Sequence, residues 1–194
     1  TVLIFGGAIS GHVNYTMTAD LYLFNMSLNN WKKLEPVNSG LTPHARAAHA
    51  TATVRLNQML VYGGSIGNGQ YASDDLWFLD IKNNEEVSWM KVPIEGNTPG
   101  LRYGHTMVYI LPILILFGGS GRSEILNDVW ILSTDKVPFK WEKVNITGIP
   151  NQRVYHSANL FKVHGNTEMM IVFGGRNKEN SSVSEITGIK KTKE

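Results

Sequence analysis

An all-β repeat architecture is predicted by three features that recur along the 194-residue chain with one shared period. Gly-Gly doublets stand at Gly6-Gly7, Gly63-Gly64, Gly118-Gly119 and Gly174-Gly175, in steps of 57, 55 and 56 residues. Acidic-apolar-aromatic triplets follow at Asp20-Leu21-Tyr22, Asp75-Leu76-Trp77 and Asp128-Val129-Trp130, with Trp31, Trp89 and Trp141 beyond them. The pattern P-x-x-R-x-x-H recurs as Pro43/Arg46/His49, Pro99/Arg102/His105 and Pro150/Arg153/His156.

Each doublet ends a short apolar segment: Val2 to Phe5, Met59 to Tyr62, Ile113 to Phe117 and Met169 to Phe173. Such continuous runs read as strands buried on both faces. Gly, Ser and Asn residues then supply turn chemistry, as in Ser65-Ile66-Gly67-Asn68-Gly69, and no stretch argues strongly for a helix. One period holds four strands: an inner one after the P-x-x-R-x-x-H pattern, a second ending at Gly-Gly, a third opening at the aspartate, and an outer one around the tryptophan. A four-stranded sheet that is apolar on both sides buries itself only against neighbouring sheets, which is the condition of a propeller blade. The units fall at about residues 1–45, 46–101, 102–152 and 153–194. The outer-strand tryptophans are expected to fill the widening gap between blades. The doublets are assigned to architecture, since glycine reaches positive φ and permits close backbone approach. The phosphate-cradling patterns G-x-G-x-x-G and G-x-x-x-x-G-K-[ST] do not occur.

These residues resemble the kelch repeat, which implies an all-β kelch-type β-propeller. The fourth unit departs from the motif with Ser184-Glu185-Ile186-Thr187, leaving its third strand unassigned. A narrower resemblance joins Leu126 to Val144, Pro150 to Ala158 and Met169 to Lys191 to the N-terminal region of the plant and alveolate serine/threonine phosphatases with kelch-like repeats. That likeness implies a regulatory propeller ahead of a phosphatase domain with two divalent metal ions, in a cytoplasmic or nuclear protein. The GD-x-H-G, GD-x-x-D-R-G and GNHE signatures of such a domain are missing here, so this segment is assigned no catalytic residue, cofactor or metal. Kelch propellers resemble the six-bladed type most often. A chain of 194 residues at this period holds about 3.5 blades, and the expectation is an arc. Its open edges predict either further blades elsewhere in the parent or self-association.

Composition narrows the function classes. Hydrophobic residues at 42% and charged residues at 18% describe a folded chain, and a net charge of +2 gives no indication of nucleic acid as a partner. There is no cysteine, hence no disulfide and no thiolate chemistry. The longest apolar run, Met107 to Phe117, is interrupted by Pro112 and falls short of the ~20 residues of a membrane span. His49, His105 and His156 invite a zinc reading, but one histidine per blade sets them apart around an axis, so a structural role is expected. Adjacent carboxylates at Asp74-Asp75 and Glu85-Glu86 point to opposite faces of a strand and do not form an acid/base pair. Four N-x-[ST] sequons, at Asn14, Asn25, Asn145 and Asn180, are read as chance in an Asn-rich chain.

Recognition is therefore expected in loops on one face. Connections of an up-and-down sheet alternate between its ends, so the second-to-third strand loops emerge beside the blade-to-blade loops. The first set is Ala8 to Ala19, Ser65 to Asp74, Ser120 to Asn127 and Arg176 to Ser184; the second is Glu35 to Ala45, Val92 to Leu101 and Asn145 to Gln152. Candidate contacts for a protein partner or phosphoprotein substrate are His12, Tyr15, Gln70, Tyr71, Arg122, Glu124, Arg176 and Lys178, combining aromatic anchors with charged groups. Arg46, Arg102 and Arg153 join them as residues that either ring the axial channel or satisfy carbonyls between blades. The alternatives are a ubiquitin-ligase substrate adaptor, or a sugar-binding or enzymatic propeller. The latter needs convergent ligands or paired carboxylates at the axis.

Overall fold

The computed structural model describes residues 2–11, 15–38, 40–55, 57–82, 86–162, 167–178 and 186–192. The first sheet comprises β1 (Val2–Ser10), β2 (Tyr15–Asn25) and β3 (Asn30–Leu34), paired in that order. The second contains β4 (Ala50–Arg55) and β5 (Gln58–Tyr62), then a small hairpin of β6 (Ser65–Gly67) and β7 (Gln70–Tyr71), then β8 (Leu76–Ile81) and β9 (Val87–Lys91). Its order is β4-β5-β8-β9, and the hairpin is a sheet of its own. After β10 (Ile94–Glu95), the third sheet runs β11 (Thr106–Ile110), β12 (Ile113–Ser120), β13 (Ile125–Ser133) and β14 (Phe139–Val144). The fourth holds β15 (Ser157–Lys162), β16 (Thr167–Phe173) and β17 (Ile186–Thr192). No helix occurs among the described residues, and the all-β blade architecture stands.

Strand alternation sends each second strand to two different cores. On β5, Met59 and Val61 join Phe5, Leu21 and Leu23 of the first sheet, while Leu60 and Tyr62 join Leu114, Leu116 and Leu132 of the third. On β12, Ile113, Ile115 and Phe117 meet Met170 and Val172 of the fourth. The interior is thus a series of inter-blade layers, and the continuous apolar runs are the strands shared between two of them. The outer-strand tryptophans face the preceding blade. Trp89 lies 4.8 Å from Phe5, ring centre to ring centre, and Trp141 lies 5.7 Å from Tyr62. Trp31 packs on Phe24 and is 52% exposed, with no sheet ahead of it among the described residues.

Three features depart from the expected loops. In the segment 8–19 strand continues to Ser10 and resumes at Tyr15, and in the segment 120–127 it covers Ser120 and 125–127, because the doublets of β1 and β12 act as bulges. Register shifts between Phe5 and Gly7, and between Phe117 and Gly119, and pairing then resumes to the hairpin tips. The blade-to-blade segments also carry structure. β10 pairs in parallel with β14, and Pro36 bridges Val87 in the same way. Asn38 fixes the latter linker, its Nδ2 donating to the Trp89 carbonyl and its Oδ1 accepting the Trp89 N–H. These additions cover outer edges that would otherwise present unpaired backbone. Finally, the third strand of the fourth unit exists despite its divergent sequence: β17 pairs with β16 from Thr167↔Thr192 to Phe173↔Ile186.

Trp89, 3% exposed, fills the first inter-blade layer. Trp89→Ala is expected to cost roughly 3–5 kcal/mol in urea unfolding. A change within about 0.5 kcal/mol, the range of an ordinary surface substitution, would contradict this packing.

Candidate functional site

The P-x-x-R-x-x-H segments lead into the inner strands and lock neighbouring blades. Each arginine works in two directions. Its carbonyl accepts the N–H of the second glycine in the preceding blade: Gly7 to Arg46 at 2.8 Å, Gly64 to Arg102 at 2.8 Å and Gly119 to Arg153 at 2.9 Å. Its guanidinium reaches the first doublet carbonyl of its own blade, with Nη1 at 3.0 Å from Gly63 O, 2.9 Å from Gly118 O and 3.1 Å from Gly174 O. Arg102 adds a bidentate pair to Asp128, at 2.8 and 3.0 Å, and Trp130 Nε1 donates to the same carboxylate at 2.7 Å. Burial works to raise Asp128, but the hydrogen bonds and charge of Arg102 outweigh it and hold the carboxyl below its ordinary value. The three arginines are at most 1% exposed. Their burial corrects their inclusion among the surface contacts, because carbonyls of their own lead-in segment and of their own blade's doublet engage the guanidiniums.

The histidines complete the lock. Each ring sits edge-on against the aromatic residue that precedes the neighbouring doublet: His49 on Phe5 at 5.3 Å, His105 on Tyr62 at 5.7 Å and His156 on Phe117 at 5.1 Å. A Cβ on Gly63 would lie 2.5 Å from the Arg102 carbonyl oxygen and 2.7 Å from His105 Cε1, so only glycine admits this approach. His156 Nε2 also lies 2.9 Å from Thr106 Oγ1 of the blade before it. Burial first, and the adjacent arginine second, hold His49 and His156 down at about 4 and His105 well below its ordinary value. Among the described residues, no group of three or more His, Cys, Asp or Glu is arranged to hold a metal ion.

A second ring of backbone bonds runs from blade to blade between arginine and histidine. Gly104 N–H donates to Ala48 O at 2.7 Å, and Tyr155 N–H donates to Gly104 O at 2.8 Å. All three residues have positive φ: 53° at Ala48, 64° at Gly104 and 60° at Tyr155. Glycine is the relaxed occupant of such a position, whereas tyrosine there is strained. The Tyr155 side chain is 52% exposed and heads a row of rings. Tyr71 and Tyr103 are 5.4 Å apart, Tyr103 and Tyr155 are 5.9 Å apart, and Arg176 Cζ lies 5.2 Å from the Tyr155 ring centre. Tyr71 Oη donates to Gly121 O at 2.7 Å, tying the β6-β7 hairpin to the third blade.

The structure thus unites two of the sequence candidates, Tyr71 and Arg176, through Tyr103 and Tyr155, which sequence reasoning had not singled out. Tyr15, Gln70, Arg122, Glu124 and Lys178 are exposed, and among the described residues their side chains make no hydrogen bond or ring contact to the row. His12 lies outside the described residues. The resulting surface is a semi-rigid aromatic strip with a guanidinium at one end. It offers stacking and cation–π contacts, without an arrangement of acid, base or nucleophile.

Sheets joined through glycine doublets, with a buried arginine in an Arg-x-x-His lead-in ahead of the second, third and fourth, define a β-propeller of the kelch class. The chain belongs to the KLHDC2/KLHL20/DRC7 Kelch-repeats domain family, whose profile matches residues 1–189. It is similar to "Serine/threonine-protein phosphatase BSL2" of Arabidopsis thaliana, 31% identical over 176 residues covering 90% of this chain and 16% of the relative. It is also similar to "Kelch domain-containing protein 3" of Homo sapiens, 30% identical over 185 residues, 90% of this chain and 45% of the relative. A third relative is "Dynein alpha chain, flagellar outer arm" of Chlamydomonas reinhardtii, 29% identical over 184 residues, 90% of this chain and 4% of the relative. The chain spans less than half the length of each. Among the described residues no helix is long and apolar enough to cross a membrane.

The histidine locks carry a pH dependence. In the folded chain the rings stay neutral down to about 4, while the unfolded chain takes up their protons below about 6.5. Stability is therefore complete above pH 6.5 and falls as the pH drops toward 4, by roughly 3 kcal/mol for each of His49 and His156. Urea midpoints measured across that interval check this, and a constant midpoint would contradict it.

Proposed function

We propose that this propeller segment is a noncatalytic protein-recognition module. It selects a protein partner or phosphoprotein substrate for a metal-dependent serine/threonine phosphatase in the same polypeptide. The single observation that carries the recognition reading is Tyr155. A bulky ring occupies a left-handed position, at a cost of about 1–3 kcal/mol, where the equivalent residues are alanine and glycine. Strain of this kind is retained where a side chain is needed, and here it places the exposed Tyr155 ring at the end of a row with the half-buried Tyr103 and Tyr71, crossing three blades. Aromatic and arginine side chains on a rigid support are the usual anchors of protein interfaces. Arg176, over the Tyr155 ring, suits an acidic or phosphorylated partner.

The phosphatase parentage is supported by the likeness to the Arabidopsis phosphatase and by the Leu126 to Val144 and Met169 to Lys191 segments. The two divalent metal ions would belong to the separate catalytic domain, and a cytoplasmic or nuclear setting accompanies this parentage.

Tyr155→Gly in the full-length protein separates binding from folding. The expected variant keeps its unfolding free energy within about 1 kcal/mol, because relief of strain offsets lost stacking. It keeps its rate of p-nitrophenyl phosphate hydrolysis in the presence of Mn²⁺ but loses the protein partners that co-purify with the wild type. Unchanged partner retention would contradict recognition by the strip, and absence of hydrolysis in the wild type would contradict the phosphatase parentage alone.

A further inference from the structure

Away from the lead-in segments, the second and third blades enclose a cleft of about 240 Å³. Strand direction fixes its location. Arg55 ends β4, Gln58 opens β5 and Phe139 opens β14, whereas the locks of Arg46 and Gly63-Gly64 lie at the other ends of the same strands. Leu60, 1% exposed, forms part of the lining, and Val54, Phe78, Tyr109 and Phe139 pack against the same core while remaining only partly buried. Alternation explains the convergence. Phe78 on β8 shares the side of Leu76, and Phe139 on β14 shares the side of Trp141, so both project into the layer between the blades. The volume exceeds the ~150 Å³ that admits a benzene ring and falls short of the ~300 Å³ at which pockets for drug-sized ligands begin. It suits one aromatic side chain.

The polar groups select the neighbour of that side chain. Tyr109 Oη lies 3.4 Å from Thr134 Oγ1, which itself donates to Pro112 O at 2.6 Å, so these hydroxyls are engaged within the protein. Asp80 accepts from Gln58 Nε2 at 3.0 Å. Arg55 is exposed at the cleft, and its side chain has no ion pair or hydrogen bond among the described residues. A guanidinium beside an apolar recess complements an aromatic side chain followed by a carboxylate.

We propose that this cleft is a second docking site, which takes a protein partner through one aromatic residue with an acidic residue next to it. The site lies at the opposite ends of the strands from the tyrosine strip and does not depend on the role given to that strip.

Photo-crosslinking of the full-length protein tests it. The probe is N-acetyl-diazirinyl-phenylalanyl-aspartyl amide, compared with the corresponding lysyl amide, and labelled residues are located by mass spectrometry. The expected result is labelling at the cleft residues, competed by unlabelled N-acetyl-Phe-Asp amide. The aspartyl probe should be favoured by about tenfold, the size of one charge-assisted contact. Arg55→Glu should invert that preference and Arg55→Gln should abolish it, with both variants keeping the wild-type melting temperature because Arg55 is a surface residue. Equal labelling by the two probes, labelling confined to the tyrosine strip, or no competed labelling would overturn the proposal.

Discussion

The architecture depends on a close backbone approach that only glycine permits. In the first three blades the doublet brings its second N–H to the arginine carbonyl of the next blade, and that carbonyl and the adjacent histidine ring crowd the place a Cβ on the first glycine would take. The same arginine then crosses to its own doublet, so every lock joins two blades and passes the constraint onward. Buried cations are costly unless they are hydrogen-bonded, and here the carbonyls exposed by the glycine bulges accept them. Burial pulls Arg46 down to about 10, which leaves it charged at neutral pH. Glycine, arginine and histidine form one device repeated along the chain, and the apolar layers outside it are filled by the shared strands and the tryptophans.

The lock was legible in the sequence because its parts recur at fixed spacing. Doublets, lead-in patterns and outer tryptophans could be aligned by counting, and the apolar runs before the doublets had to be buried on both faces. The tyrosine strip was not legible in this way. Tyr71 lies in a hairpin beyond the second strand, Tyr103 directly follows an arginine, and Tyr155 stands two residues after one. Three unrelated positions of the repeat yield no period. The one available signal was the residue before each histidine, which is Ala48, Gly104 and Tyr155. That signal has meaning only once the positive φ of the position is known.

Other differences have equally local causes. β17 forms although its unit lacks the expected triplet, because strand pairing there uses backbone groups and does not require a particular side chain. β10 was hidden because a two-residue parallel pairing depends on which outer strand lies beside the linker. The hairpins at the tips of β1-β2 and β12-β13 extend past their glycines because a bulge interrupts register without ending the ladder. Beside the tyrosine strip the backbone is paired through the Tyr103–Ser120 and Val154–Arg176 bridges. Within the lead-in segments the buried arginines hold the blades, while the neighbouring Tyr155 ring is exposed.

The most direct measurement compares Gly63→Ala with Gly69→Ala by urea unfolding. Both glycines have similar positive φ, 65° and 72°, but a Cβ at 63 meets the neighbouring blade while one at 69 meets nothing within 4 Å. The account predicts a loss of about 1–2 kcal/mol for Gly69→Ala, from backbone strain alone. Gly63→Ala should lose at least about 3 kcal/mol, because overpacking adds to the same strain. Equal losses at the two positions would contradict the claim that close approach at the doublets holds the blades together.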